Sequence, residues 1–144
     1  FLFGPTGTGK TMATALLVRE WLKAHPTADR HSWKFVSYPE FIMRLQDAFK
    51  NDTYDKSPYE MLEEIASSRR LILDDLGAEK PTDYVRQATY YVINHREMNM
   101  LPTFITSNFS LDYLSESIDP RVADRIAGMS EIIRFQGKSR RIGG

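Results

Sequence analysis

The sequence predicts a three-layer α/β/α domain built on a largely parallel, five-stranded sheet. Short apolar runs alternate along the chain with longer stretches whose apolar residues recur at helical spacing. The run at 71–73 is continuously apolar, which is typical of a strand buried on both faces. With 144 residues and 42% hydrophobic side chains, the chain is large enough to form one compact core.

The first strand, Phe1–Phe3, leads through a glycine-rich turn into a helix that ends near residue 25. A second strand is predicted at 33–36, and Pro39 then suits the first turn of the next helix. The polar stretch 51–56 interrupts that helix. The first half of the chain therefore alternates strands and helices, as expected of parallel strands joined by crossovers.

Ser57 and Glu60 have the spacing of a capping box and begin a further helix ahead of the strand at 71–73. Thr82 is expected to cap a long helix that runs to about Met98. Both helices carry apolar residues on one face, so we expect that face to cover the sheet.

Residues 104–106 form the next predicted strand, and Ser110 caps a short helix. Asp119–Pro120 starts another helix, which Gly128 is expected to end, and a last strand follows at 132–135. In a parallel sheet joined by crossovers, the ligand site is expected beyond the carboxyl ends of the strands.

Charge and composition exclude several classes of protein. Lysine plus arginine and aspartate plus glutamate number 19 each, so we do not expect a protein that coats nucleic acid by bulk electrostatics. No window approaches 18 consecutive apolar residues and no signal-peptide pattern is found, so we expect a soluble, cytoplasmic protein without membrane contact. The absence of cysteine excludes disulfides, thiolate zinc sites and cysteine nucleophiles.

The chain begins without methionine, inside an apolar run, so we interpret residues 1–144 as one domain cut from a longer protein. From Arg121 onward it carries six basic and two acidic residues, which leaves a small negative excess in the preceding part. Four cationic residues near the end could follow a phosphate backbone or could simply be solvated: Arg134, Lys138, Arg140 and Arg141.

A phosphate-binding loop is predicted directly after the first strand. Eight residues match the Walker A pattern G-x-x-x-x-G-K-[ST] at every specified position: Gly4, Pro5, Thr6, Gly7, Thr8, Gly9, Lys10 and Thr11. The glycines let backbone amides surround a triphosphate, Lys10 reaches the β and γ phosphates, and the Thr11 hydroxyl ligates Mg²⁺. The alternative is a glycine-rich turn with an incidental lysine. The predicted ligands are therefore ATP and Mg²⁺.

Two acids at the end of the buried strand indicate what happens to the γ phosphate. Asp74 is expected to hold Mg²⁺, directly or through a water. Asp75 can accept a proton from an attacking water or orient it, so hydrolysis is the expected reaction. The alternative is that both acids only end a strand in a solvated turn.

Asn108 follows the next strand and should reach the same edge of the sheet, where its amide can bind a water and a phosphate oxygen. Alternatively, it only turns the chain. Arg121 and Arg125 are four residues apart and share a helix face, which suits a phosphate of a neighbouring subunit. Their alternative is a solvated face, with Asp124 as a local ion-pair partner.

Five segments together resemble the AAA+ ATPases, and more narrowly the bacterial replicative helicase loaders of the DnaC/DnaI type and the related IstB transposition ATPases. The first two are shared by many P-loop ATPases, and the last three narrow the choice. The segments are 1–11, 71–77 (LILDDLG), 105–108 (ITSN), 119–126 (DPRVADRI) and 137–141 (GKSRR).

The resemblance implies a role for each matching residue. Asn108 would be the sensor-1 residue, and Arg125, with Arg121 as alternate, would be an arginine finger acting in trans. Arg141 falls where a sensor-2-like arginine binds nucleotide. The helices between the second strand and residue 71 resemble an element that lines a single-stranded DNA path. Neither an N-terminal helicase-binding region nor a helical lid corresponds to any part of the chain.

The resemblance implies an ATPase that assembles into a ring or helical oligomer and loads a replicative DNA helicase onto single-stranded DNA. Three alternatives stay open: an IstB-like ATPase that assists a transposase, a P-loop kinase of small molecules, and a nucleotide-binding switch without appreciable turnover.

Overall fold

The structure is a computed structural model that describes residues 1–51, 54–77 and 80–139. Its strands in these ranges are β1 Leu2–Phe3, β2 Lys34–Ser37, β3 Leu71–Asp74, β4 Thr103–Ser107 and β5 Ile133–Arg134. Its α-helices in the same ranges are α1 Lys10–Ala24, α2 Tyr38–Lys50, α3 Pro58–Ala66, α4 Asp83–Met98, α5 Leu111–Ser117 and α6 Pro120–Met129.

The strands form a parallel sheet in the order β2-β3-β4-β1-β5, which confirms the predicted five-stranded, largely parallel sheet. The connection from β1 to β2 crosses the sheet in one direction, and the later connections cross it in the other. Because parallel crossovers are right-handed, α1 covers one face of the sheet and the later helices cover the opposite face. The sheet is the middle of three layers.

The larger core lies between the sheet and the later helices. From the strands it receives Leu71, Leu73 and Ile105, which are almost fully buried. The helices contribute apolar residues three or four positions apart: Ile42 and Leu45; Leu62 and Ile65; Val85, Ala88 and Val92; Val122 and Ile126. Each large side chain stabilises the fold by roughly 1.5–3 kcal/mol. None of the described helices combines the length and apolarity needed to cross a membrane.

The predicted helix starts are confirmed by their capping bonds. The hydroxyls of Ser57, Thr82 and Ser110 each accept a hydrogen bond from the backbone N–H three residues further on. The Glu60 carboxylate also accepts from the Ser57 N–H at 2.8 Å, which completes the capping box. Asp119 caps α6 by accepting from the Arg121 N–H at 2.8 Å.

The predicted end of α6 at Gly128 is wrong. The helix continues to Met129, and Ser130 is the residue that leaves helical geometry, with φ −134° and ψ 147°. Gly128 instead lies where α6 passes α4, since a Cβ built on it would be 3.6 Å from the Glu97 Oε1.

Two strands differ from their predicted bounds. β2 is shifted by one residue from the predicted 33–36, and β5 is shorter than the predicted 132–135. Trp33 precedes β2, and its ring stacks on Phe104 with centroids 5.1 Å apart, whereas Ile132 precedes β5. Phe135 follows β5 but still donates its N–H to the Phe3 carbonyl at 2.7 Å. The chain beyond β5 therefore stays beside β1.

Arg96 of α4 is a fully buried cation that joins three segments. Its Nε donates to the Thr103 Oγ1 at 2.8 Å and its Nη2 to the Pro102 carbonyl at 2.9 Å. Its Nη1 lies 2.8–3.2 Å from four acceptors at the end of α3: the carbonyls of Ile65, Ala66 and Ser68 and the Ser68 Oγ. Burial lowers the pKa of Arg96 to about 10, so the guanidinium stays charged at neutral pH.

Glu64 links α3 to β2 through its ion pair with Lys34, and it also pairs with Lys56 just before α3. The hydrogen bonds from both lysines lower the pKa of Glu64 from 4.5 to about 2. A carboxylate with a depressed pKa stabilises the fold fully above its unfolded pKa and loses that contribution as the pH falls toward its folded pKa. We expect the unfolding midpoints of the wild type and Glu64→Gln to differ at pH 6 and to converge progressively below about pH 4.5. Urea unfolding between pH 6 and pH 3 measures this, and a constant difference would contradict it.

Candidate functional site

The glycine-rich loop joins β1 to α1 at the carboxyl edge of the sheet. Gly9 has φ +97° with nothing within 4 Å of a built Cβ, so its backbone conformation, not crowding, requires glycine there. Gly4 requires glycine for space, because a Cβ would lie 2.2 Å from the Phe135 carbonyl oxygen. Pro5 and Thr6 are exposed at the tip, and the buried Thr8 donates to the Pro5 carbonyl at 2.8 Å.

Lys10 is the first residue of α1, and only 7% of it is exposed. Its ammonium group donates to the carbonyls of Gly4 at 2.7 Å and Pro5 at 2.9 Å, and to the Asn108 Oδ1 at 2.9 Å. The lysine is thus folded back over the loop. An incoming phosphate would replace these neutral acceptors with charged ones, which make stronger hydrogen bonds to an ammonium.

Thr11 and Asp74 lie side by side, although 63 positions separate them in the sequence. The Thr11 hydroxyl donates to the Asp74 Oδ1 at 2.9 Å and lies 3.2 Å from its Oδ2. A hydroxyl and a carboxylate in contact at a helix N-terminus match the all-oxygen ligands that Mg²⁺ prefers, with phosphate oxygens and waters completing the shell. These residues fit the predicted metal.

Asp75 adopts a left-handed backbone conformation, with φ +65°, immediately after β3. The Asn108 Nδ2 donates to its Oδ1 at 2.7 Å. Since the Asn108 Oδ1 accepts from Lys10, one amide connects the loop lysine to the second acid. Sequence reasoning had placed these residues only at one edge of the sheet.

Thr106 is a site residue that sequence reasoning did not single out. It is 1% exposed, and its hydroxyl donates to the Asp74 Oδ1 at 2.7 Å and accepts from the Asp75 N–H at 2.9 Å. Thr106 therefore holds both acids at once. The sequence does contain a signal for Thr106. Its hydroxyl lies at the end of a strand, two residues before Asn108, and from there it can reach the end of the neighbouring strand.

Arg121 and Arg125 share a helix face, as predicted, and both lie over the ring of Tyr90, with Cζ atoms 4.2 and 5.3 Å from its centroid. Arg121 pairs with Asp119 at 2.8 Å, and this contact lowers the pKa of the Asp119 carboxyl. Arg125 pairs with Glu97 of α4. The expected partner Asp124 is thus replaced by acids that sequence spacing did not identify.

The chain beyond β5 returns to the phosphate loop. A Cβ on Gly7 would lie 2.1 Å from the Ser139 Oγ, so Ser139 occupies the space above that glycine. Arg134 and Lys138 are exposed in this segment. The predicted nucleotide contact of Arg141 lies outside the described residues.

Known helicase loaders are similar to this chain in sequence and in fold, although no protein-family model matches it. The replicative helicase loader DnaI of Bacillus subtilis (strain 168) is 32% identical over 154 residues, covering 98% of this chain and 47% of DnaI. A crystal structure of the DnaC helicase loader matches with a TM-score of 0.74 and 25% identity, covering 94% of this chain and 76% of that one. The chain belongs to the DnaC/DnaI family of AAA+ proteins.

The DnaC/DnaI-type chain spans about half the length of the curated DnaI relative. The replication initiator DnaA bound to AMPPCP and single-stranded DNA has the same fold, with a TM-score of 0.75 at 18% identity, covering 96% of this chain and 40% of DnaA. These matches confirm the predicted fold class and the family resemblance.

The DnaC/DnaI-type domain brings the predicted loop, acid and amide residues into one connected set. Its loop presents backbone amides and a lysine, its Thr11–Asp74 pair offers oxygen ligands, and Asp75 lies within reach through Asn108. This arrangement can bind a triphosphate and a divalent cation and can orient a water. The arginine pair has its ion-pair partners on α4 and at the start of α6.

Proposed function

We propose that this domain binds ATP with Mg²⁺ and hydrolyses it. The observation that carries the proposal is the continuous set of hydrogen bonds from Lys10 through Asn108 to Asp75, beside the Thr11–Asp74 pair. A structural turn would not need a buried lysine, an amide and an acid in line. A DnaA structure of the same fold contains the ATP analogue AMPPCP, which supports nucleotide as the ligand.

The chemistry proposed for the site follows from these contacts. When Lys10 turns to the phosphates, the Asn108 Oδ1 loses its donor, while the Asn108 Nδ2 continues to hold Asp75. The Asn108 Oδ1 and the Asp75 Oδ2, which accepts no hydrogen bond from the described residues, then both accept from a water and orient it, and the Asp75 carboxylate takes its proton. Bound Mg²⁺ supplies charge neutralisation on the phosphates.

The arginine finger completes the proposed site in trans. Developing charge on the transferred phosphoryl needs a cation close to it, and a guanidinium binds phosphate with two parallel hydrogen bonds. Arg125, with Arg121 as alternate, would reach the triphosphate of a neighbouring copy in a ring or helical oligomer. Every nucleotide would therefore lie between two subunits.

We place this ATPase in replicative helicase loading. The supporting observation is the relationship to DnaI and DnaC, which are named as helicase loaders. The proposed partners are a replicative DNA helicase and single-stranded DNA, and the proposed location is the cytoplasm. The 1–144 segment would be the ATPase core of a longer protein.

Mixing two inactive variants tests hydrolysis in trans. Lys10→Ala removes the loop lysine and Arg125→Ala removes the finger, so each protein alone should turn over ATP at least about 10³-fold more slowly than the wild type. In the mixture, Lys10→Ala subunits supply fingers to intact sites on Arg125→Ala subunits. We therefore expect phosphate release to recover to a measurable fraction of the wild-type rate.

The same assay separates the alternative functions. Recovery at no mixing ratio would exclude a finger acting in trans. Stimulation of the wild type by single-stranded DNA supports a DNA-dependent ATPase, whereas stimulation by a small acceptor molecule would instead indicate a kinase. Binding to a replicative helicase, measured against binding to a transposase, distinguishes the loader from the IstB-like role.

A further inference from the structure

We propose that Tyr90 and Glu97 of α4 are positioning residues that hold the Arg125 guanidinium in the orientation in which it meets the triphosphate of a neighbouring copy. The inference rests on the proposed hydrolysis in trans. It adds that residues of a second helix, α4, orient the finger arginine of α6. The chain would then present a preformed cation unit built from α4 and α6, rather than one flexible arginine.

The Tyr90 ring lies beneath both arginines. The Arg121 Cζ is 4.2 Å from the ring centroid and the Arg125 Cζ is 5.3 Å from it. The Tyr90 hydroxyl also accepts from the Arg125 Nη2 at 3.1 Å. A cation over an aromatic face is attracted by the ring quadrupole, so the ring limits how both guanidiniums can swing.

Glu97 lies seven residues after Tyr90 and therefore two turns further along the same face of α4. Its carboxylate accepts from the Arg125 Nη1. A Cβ built on Gly128, three residues after Arg125, would be 3.6 Å from the Glu97 Oε1, so the carboxylate lies against α6 at that point. Tyr90 and Glu97 together fix Arg125 through both of its Nη atoms.

This arrangement leaves the guanidinium with donors to offer. A guanidinium has five N–H groups, and these two contacts use one on each Nη. The Arg125 Nε is buried without a hydrogen-bond partner among the described residues, so its N–H is not accessible to a phosphate. One N–H on each Nη remains, and such a pair can bind two oxygens of a phosphate.

Charge supports the same assignment. Two guanidiniums on one ring repel each other, and the carboxylates of Asp119 and Glu97 offset this repulsion. The two pairs also differ, since the Arg121 side chain is 61% exposed whereas that of Arg125 is 29% exposed. Arg125 is thus the guanidinium with the more constrained direction.

The mixing assay tests the inference because the position of Arg125 matters only in the subunit that donates the finger. Finger donors carry Lys10→Ala, and site acceptors carry Arg125→Ala. We expect Glu97→Gln added to the donor to lower the recovered turnover by about tenfold, the effect of losing one charged hydrogen bond in the transition state. Added to the acceptor, which lacks Arg125, it should leave the recovered turnover at the level of the parent mixture. Tyr90→Phe, which keeps the ring, should show the same asymmetry.

Asp124→Asn in the donor is the matched control. This exposed carboxylate is next to Arg125 on α6 and forms no ion pair among the described residues, so its replacement should leave the recovered turnover unchanged. Equal losses in donor and acceptor would show that Glu97 only stabilises the α4–α6 contact and would overturn the inference. No loss in the donor would overturn it as well. A parent mixture without recovery would overturn the trans mechanism itself, whereas recovery that is indifferent to Glu97 and Tyr90 would reject only the positioning role.

Discussion

Asp75→Asn is expected to bind ATP about as well as the wild type and to hydrolyse it about 10²–10⁴-fold more slowly, the usual contribution of a positioned general base. The amide keeps the size of the carboxylate, and its oxygen can still accept from the Asn108 Nδ2, as the Asp75 Oδ1 does at 2.7 Å. Unlike the carboxylate, however, the amide cannot take a proton from water. Fluorescent-nucleotide titration measures binding, and phosphate release measures turnover.

Asparagine is the appropriate replacement at this position for a conformational reason. Asp75 has φ +65°, and aspartate and asparagine adopt the left-handed region more readily than other residues with a Cβ. Alanine would mix backbone strain with lost chemistry. Asp112→Asn, an exposed change on α5, should leave both measurements unchanged. Hydrolysis at the wild-type rate in Asp75→Asn would show that another group orients the water.

Arg96→Lys is expected to destabilise the fold by about 3–5 kcal/mol, as when a buried, hydrogen-bonded charge network is broken. The guanidinium bonds to acceptors in three directions, and an ammonium has three donors at a single point. Several buried carbonyls would then lose their partners. Urea unfolding followed by circular dichroism gives the free energy of unfolding.

The matched control is Arg86→Lys on the exposed side of the same helix, which should stay within about 0.5 kcal/mol of the wild type. The comparison separates a buried guanidinium from a general preference of α4 for arginine. Equal stability of the two variants would show that the carbonyls at the end of α3 find water or other donors when Arg96 is replaced.

Local signals allowed much of the fold to be predicted from the sequence. A cap such as Ser57 or Thr82 acts within one helical turn, so its spacing alone determines where a helix starts. The end of α6 was predicted wrongly because Gly128 tolerates helical dihedrals and packs against Glu97. That contact depends on where α4 lies, and no pattern within α6 shows it.

The site was predictable in its parts and not in its connections. The loop motif and the strand-end acids identify Lys10, Asp74 and Asp75, because their chemistry requires fixed spacing. Asn108 contacts both Lys10 and Asp75. These contacts could not be predicted, because they depend on which strands are neighbours in the sheet. The residues around Arg125 come from a helix some 30 positions earlier, and only the packed fold reveals them.

The end of β4 connects the phosphate loop to the two acids of the candidate site. Ser107 accepts from the first amide of the phosphate loop through its carbonyl, while Thr106 holds both acids through its hydroxyl. Consecutive residues of one extended strand are about 3.3 Å apart and point to opposite sides. The distance between the phosphate loop and the two acids is therefore set by two consecutive residues of β4. A deletion or insertion of one residue within β4 is expected to abolish the proposed ATP hydrolysis even if Lys10, Asp74 and Asp75 are all retained.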